Sequence, residues 1–194
     1  MIAYLNGTLA VKDPTFVVVD INGIGYHVKI SLNTYSKIKG MDRCLLHTFL
    51  HVKEDAHVLY VFFDLEEKAI FQHLISINGV GPNTAMMINS SLSTEELEHA
   101  ILKENVSLIQ RVKGIGGKTA QRIILELKDK IKKESIGKIS DISTTGSLKQ
   151  EALAALQTLG INRNLAEKQI DLVISRDGNG MTLEELIKQV LKQA

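Results

Sequence analysis

The stretch GIGGKTAQR, residues 114–122, decides how the middle of this chain folds. It looks at first like the tail of a nucleotide-binding loop. Such a loop needs a glycine five positions before its Gly-Lys-Thr, so that a wide ring of backbone N–H groups surrounds two phosphates, and here that position is Val112. The three-glycine dinucleotide fingerprint fails as well, since after Gly114 and Gly116 the third glycine would fall on Thr119. A second copy of the pattern explains the stretch better. Residues 79–85 read GVGPNTA and residues 114–120 read GIGGKTA, so Gly79, Gly81, Thr84 and Ala85 recur at an offset of 35. The flanks recur with them: Leu74 with Ile109, Ile77 with Val112, Ile88 with Ile123. A period of this size marks a duplicated supersecondary unit. Each copy reads as an apolar helix, a glycine-apolar-glycine turn and a second helix with Ala on its packing side. Paired glycines allow a tight turn and leave N–H groups uncovered where the second helix starts, a place that attracts phosphate.

The duplicated unit resembles the helix-hairpin-helix motif, and the resemblance implies a grip on the sugar-phosphate backbone of DNA that reads no bases. It assigns that grip to Gly79, Val80, Gly81, Asn83 and Thr84 in the first turn. In the second turn it assigns Lys113, Gly114, Ile115 and Gly116, then Gly117, Lys118, Thr119 and Arg122. A pair of helical hairpins closed by glycine caps, holding no ligand, uses the same residues. Charge favours the first reading. The chain carries a net charge of only +1, which argues against a uniformly basic coat, but residues 100–133 hold nine Lys or Arg against three acids. Residues 65–99 hold one Lys against five Glu. Positive charge is thus gathered beside the second turn, although a solvated lysine-rich helix in KDKIKK accounts for part of it.

At 194 residues the chain has room for two or three small units. Its single cysteine, Cys44, excludes an internal disulfide and a cysteine-rich zinc site, and fits a reducing cytosol. No apolar run is long enough for a membrane span and the start MIAYLNGTLA lacks a basic segment followed by an apolar one, so a cytoplasmic protein with no membrane partner is expected.

All four Tyr and all five Phe lie within the first 71 residues. There IAYLNGTLA, TFVVVDI, YHVKISL, CLLHTFLHV and HVLYVFF read as short antiparallel strands, broken by the Asn22-Gly23 and Gly25 turn signals. Five of them suggest a small closed barrel of the oligonucleotide-binding (OB) type, with an open meander as the alternative. From Glu66 the period is helical, and Ser93 with Glu96, Ser147 with Gln150, Asn164 with Glu167 and Thr182 with Glu185 mark four helix starts. The segment ESIGKISDISTTG is rich in Ser, Thr and Gly and reads as a linker. After it, LKQEALAALQTL, NLAEKQIDLVIS and TLEELIKQVLKQ form three short amphipathic helices with a small core, which suits a protein-binding module. The expected fold is α+β and multidomain: an OB-type barrel over 1–64, tandem helix-hairpin-helix over 65–133, a flexible linker over 134–147 and a three-helix bundle over 148–194. Leu156, Leu159, Ile161 and Ile170 are the expected partner contacts of that bundle, with some of them instead forming its own core.

This order of parts resembles the RuvA family of bacterial Holliday junction branch-migration subunits along the whole chain. The residues that carry it are MIAYLNG at the start, NGIGYHV at 22–28, VKEDAHVLYVF at 52–62, both glycine turns, and ALAALQTLGI at 152–161. The resemblance implies a scaffold, not an enzyme: four chains form a flat homotetramer that holds four-way junction DNA open, two RuvB hexameric ATPase motors pump the duplex arms, and the RuvC resolvase is a further partner. Recombination, DNA repair and the SOS response to DNA damage are the implied setting. Glu54 and Asp55, which by themselves read as a solvated turn, match the family's acidic pin, and four copies would place eight carboxylates at the junction centre. One tetramer or two on the junction stays open. The chain departs from the family pattern at Asn83 and Gly117, where a basic residue is usual, and at Tyr4 and Asn6.

Catalytic constellations are scarce, and no catalytic residue, metal or cofactor is expected. His47 and His51 are four apart, a metal-binding spacing on a helix, but LLHTFLHV alternates like a strand. Asp129 lies where a helix-hairpin-helix glycosylase or nuclease would place its aspartate, yet lysines flank it in KDKIKK and no pocket for a flipped base is suggested. A protein-binding adaptor using both hairpins as contact surfaces is the third reading.

Overall fold

The computed structural model describes residues 2–139, 144–178 and 180–192, in two compact units, Met1–Ile131 and Lys132–Ala194. The first unit opens with a closed barrel of five strands, β1 (Tyr4–Lys12), β2 (Phe16–Ile21), β3 (Ile24–Lys29), β4 (Arg43–Val52) and β5 (His57–Phe62), in the order β1-β2-β3-β5-β4. Alternation closes it: Leu5, Leu9, Val17, Val19, Val28, Leu46 and Val61 point inward and are buried. Gly7 is needed here because a Cβ at that position would stand 2.3 Å from the Asp20 carbonyl oxygen of the neighbouring strand.

Two features depart from the sequence reading. The strands are not all antiparallel, since β3 closes onto β5 in parallel through Lys29 and Tyr60. A parallel closure requires a crossover rather than a tight turn, and it contains a helix that the sequence reading left unassigned, α1 (Leu32–Ile38), of which only Leu32 was read, as the end of the third strand. Ser31 caps it, its hydroxyl accepting from the Thr34 N–H at 3.0 Å.

Helices α2 (Leu65–Ile75), α3 (Pro82–Ser91), α4 (Thr94–Leu102), α5 (Val106–Gln110) and the long α6 (Gly117–Ile139) follow. Strand gives way to helix between Phe62 and Leu65, and the core runs across this change. Tyr60 and Phe62 of β5 are buried against Phe71 of α2, with ring centres 5.1 and 5.0 Å apart, and belong to the same apolar cluster as Leu74, Ile88, Ile109 and Ile123. A polar joint adds to it. Glu67 on α2 accepts from the hydroxyls of Ser31 and of Thr34, the latter at 2.7 Å, and Asn33 donates to the carbonyls of Asn89 and Leu92 at 2.6 and 2.9 Å. Burial pushes the Glu67 carboxyl above its ordinary value, against those two hydrogen bonds, which pull it down.

Helix α6 runs to Ile139 and α7 (Thr144–Thr158) begins at Thr144, both within the segment expected as a linker over 134–147, and residues 140–143 between them lie outside the described residues. Ser, Thr and Gly weaken a helix without forbidding it, and the segment has no proline to stop one. The second unit packs α7, α8 (Arg163–Asp177) and α9 (Leu183–Leu191) around Leu153, Leu156, Ile170, Val173, Leu186 and Val190. Of the four expected helix starts, Ser93 with Glu96 and Thr182 with Glu185 form reciprocal capping boxes. Asn162, two residues earlier than expected, caps α8, and Ser147 lies inside α7.

Candidate nucleic-acid interface

The duplication seen in the sequence is reproduced bond for bond. In the first copy Ile77 N–H donates to Leu74, Val80 to Ile77 and Ala85 to Gly81, at 3.1, 3.0 and 3.0 Å. In the second, Val112 donates to Ile109, Ile115 to Val112 and Ala120 to Gly116, at 3.2, 3.1 and 2.9 Å. Gly79 and Gly114 take the left-handed backbone, with φ of 91° and 86°. Val80 and Ile115, the apolar residues between the paired glycines, are buried and pull each turn onto the core.

The second glycine of each pair has a different role. Gly81 is the N-cap of α3 in ordinary extended geometry, φ −84°, and makes no side-chain cap. A Cβ on Gly81 or Gly116 would meet nothing within 4 Å. Neither the backbone nor the packing therefore demands glycine there; the empty space lies over a helix start whose first N–H groups have no side-chain acceptor. Asn83, Lys113 and Lys118 are exposed and Thr84, Gly117 and Thr119 half-buried beside these starts. Arg122 has a second task, since its guanidinium donates to the Asn78 carbonyl at 3.0 Å and so ties the second hairpin to the first turn. Lys128 is engaged by Glu104. Asp129 lies on α6, with its side chain outside the described residues.

Glu54 and Asp55 form the exposed tip of the β4–β5 hairpin, closed by the Lys53 N–H donating to the Ala56 carbonyl at 2.9 Å. The barrel brings this tip to the first turn: Asp55 and Lys53 line a cleft of about 310 Å³ together with Lys29, His51, Gly81, Asn83 and Thr84. Lys29, Lys53 and Tyr60 escaped the sequence reading. Register alone would have placed Lys29 beside Tyr60, but only once the parallel closure was known.

His47 and His51 both lie on β4. Four residues along a strand span about 13 Å, too far to share one ion. Among the described residues no group of three or more His, Cys, Asp or Glu side chains could hold a metal, and no helix is long and apolar enough to cross a membrane.

In the second unit the expected partner contacts divide. Leu156 and Ile170 are fully buried and hold the bundle together, so they are not available for docking. Ile161 is half-buried against the same core, and Leu159 is 60% exposed. Leu165 and Leu172 are exposed as well, and the sequence reading passed over both.

Two family models match the chain, the RuvA N terminal domain over residues 1–60 and the SAM-like helix-hairpin-helix tandem over residues 71–129. Over its entire length it is similar to the Holliday junction branch migration complex subunit RuvA of Cytophaga hutchinsonii, with 54% identity over 199 residues and both chains fully covered. It is 47% identical over 193 residues to the protein of the same name from Christiangramia forsetii, and 43% identical over 201 residues to that from Bacteroides fragilis, again with both chains covered in full.

Proposed function

The chain belongs to the RuvA family of Holliday junction branch-migration subunits, and on that premise we propose that it is the non-catalytic scaffold which grips four-way DNA by its backbone and presents it to the RuvB motor. The observation that carries this reading is the matched pair of turns, each with open space above its second glycine, the first opening a helix that has no side-chain cap. Two such starts bind two phosphates and read no base. Asn83, Thr84, Lys113, Lys118 and Thr119 are the polar contacts, and Arg122 acts first as the tie between the turns. Glu54 and Asp55 repel phosphates that stray toward the barrel tip, which favours a shape whose strands part over a shape whose strands do not. The working assembly is a cytoplasmic homotetramer, with RuvC as a further partner and the second unit as the motor's docking module.

The test is a titration of the full chain with a four-way junction and with linear duplex at one fixed salt concentration, followed by incubation of the complex with Mg²⁺. Preference for the junction with every strand intact is expected, and a light-scattering mass of four chains. Equal affinity for the two DNAs overturns the scaffold reading, and cut strands establish a nuclease in its place.

A further inference from the structure

The two turns are built alike but charged differently. The offset of 35 that superposes them puts Asn83 where the second copy has Lys118, and α3 carries no basic residue anywhere along its length, whereas α6 begins with Lys118 and Arg122. A phosphate at the first turn would meet only backbone N–H groups and neutral side chains if the hairpin acted by itself. The cleft beside it is nonetheless cationic, because the barrel wall contributes Lys29 and Lys53.

These two lysines are not equivalent. Lys53 adjoins Glu54 and Asp55 in an exposed turn, and at screening lengths of ~10 Å those carboxylates offset its charge. Lys29 ends β3, where its backbone is fixed by pairing with Tyr60, and its ammonium lies 5.9 Å from the centre of the buried Tyr60 ring. It makes no ion pair with any described residue. An aromatic face steadies an ammonium without neutralising it, as a carboxylate would. Lys29, Tyr60 and Asn83 also line a second opening of about 380 Å³. The cation therefore borders two clefts, and Asn83 lines each of them.

We propose that Lys29 does for the first hairpin what Lys118 does for the second, so that the first DNA grip is composite: the helix start supplies the N–H groups and the barrel supplies the charge. Asp55, which lines the same cleft, limits how deep a phosphate can settle. This inference rests on the DNA-binding reading above and deepens it.

The test is the salt dependence of four-way junction binding by the full chain and by Lys29→Met, Lys29→Arg, Lys118→Met and the double variant Lys29→Met/Asn83→Lys. Each lost phosphate contact lowers the slope of log Kobs against log salt by about 0.9 per engaged chain and weakens binding about five- to tenfold at 0.1 M salt. Lys29→Met and Lys118→Met should each show that loss, Lys29→Arg should not, and the added Asn83→Lys should restore the slope. An unchanged slope in Lys29→Met overturns the proposal. So does a lost slope that Asn83→Lys fails to restore, since Lys29 then acts somewhere other than the first turn. If the unaltered chain shows no salt-dependent binding to the junction, it is the DNA-binding reading that fails.

Discussion

Gly79 and Gly81 sit two residues apart and answer to different demands. Gly79 holds φ near 91°, where a Cβ costs about 1–2 kcal/mol, while Gly81 holds an ordinary φ of −84° with open space around it. Gly79→Ala should therefore lower the Tm by about 2–8 °C in a thermal melt. Gly81→Val should leave the melt nearly unchanged and abolish the first grip in a junction titration, because its side chain covers the N–H groups without straining the turn. A Gly81→Val chain that melts early and binds normally would reverse this division. At this scale the sequence was informative about the turns, since an internal repeat exposes every paired position. It left open which of Leu156, Leu159, Ile161 and Ile170 form the core of the bundle. An amphipathic stripe says which residues leave water, and it does not say whether they meet their own bundle or a visitor, so the exposed Leu165 and Leu172 went unnoticed.

Among the elements, α1 shows what a periodicity cannot convey. Its seven residues are too few for a helical period to stand out beside a β-branched and aromatic strand, and what makes it a helix is tertiary: the Ser31 cap and the bonds from Asn33 to α3 and the segment after it. Its joint to α2 is titratable. Because burial raises the folded value of Glu67 above the ordinary 4.5 of a free carboxylate, the folded chain keeps a proton that the unfolded chain has released. Stability should fall as pH climbs from 4.5 through that raised value, and Glu67→Gln should flatten this slope when urea midpoints of the two chains are compared along the same pH series. A slope shared equally by both would clear Glu67 of the effect. The charge on the β4–β5 tip is by contrast exposed, at the end of a hairpin. Glu54→Gln with Asp55→Asn should tighten binding to linear duplex several-fold and narrow the preference for junctions, as two titrations at one salt concentration would reveal. An affinity ratio that does not move returns this tip to an ordinary solvated turn.

For the whole molecule, three apolar cores matter more than four segments. The barrel closes on its own core and lends Tyr60 and Phe62 to the hairpin core around Phe71, and the second unit has a separate one. A chain ending at residue 143 loses only the core of the second unit, so it should keep junction affinity and lose branch migration with the motor in a strand-displacement assay. Migration that survives the truncation would assign motor docking elsewhere. The barrel was legible in the sequence as five strands because alternation survives in each of them, whereas the parallel closure was not, since pairing between β3 and β5 is decided by what lies between them. One bond gives the middle of the chain a property beyond affinity. The Arg122 guanidinium on the Asn78 carbonyl, with a common core beneath it, forbids the two turns from drifting apart. If both turns hold phosphate as proposed, they form a calliper of set opening, and a nucleic-acid backbone must present its phosphates at that one spacing to fill both jaws.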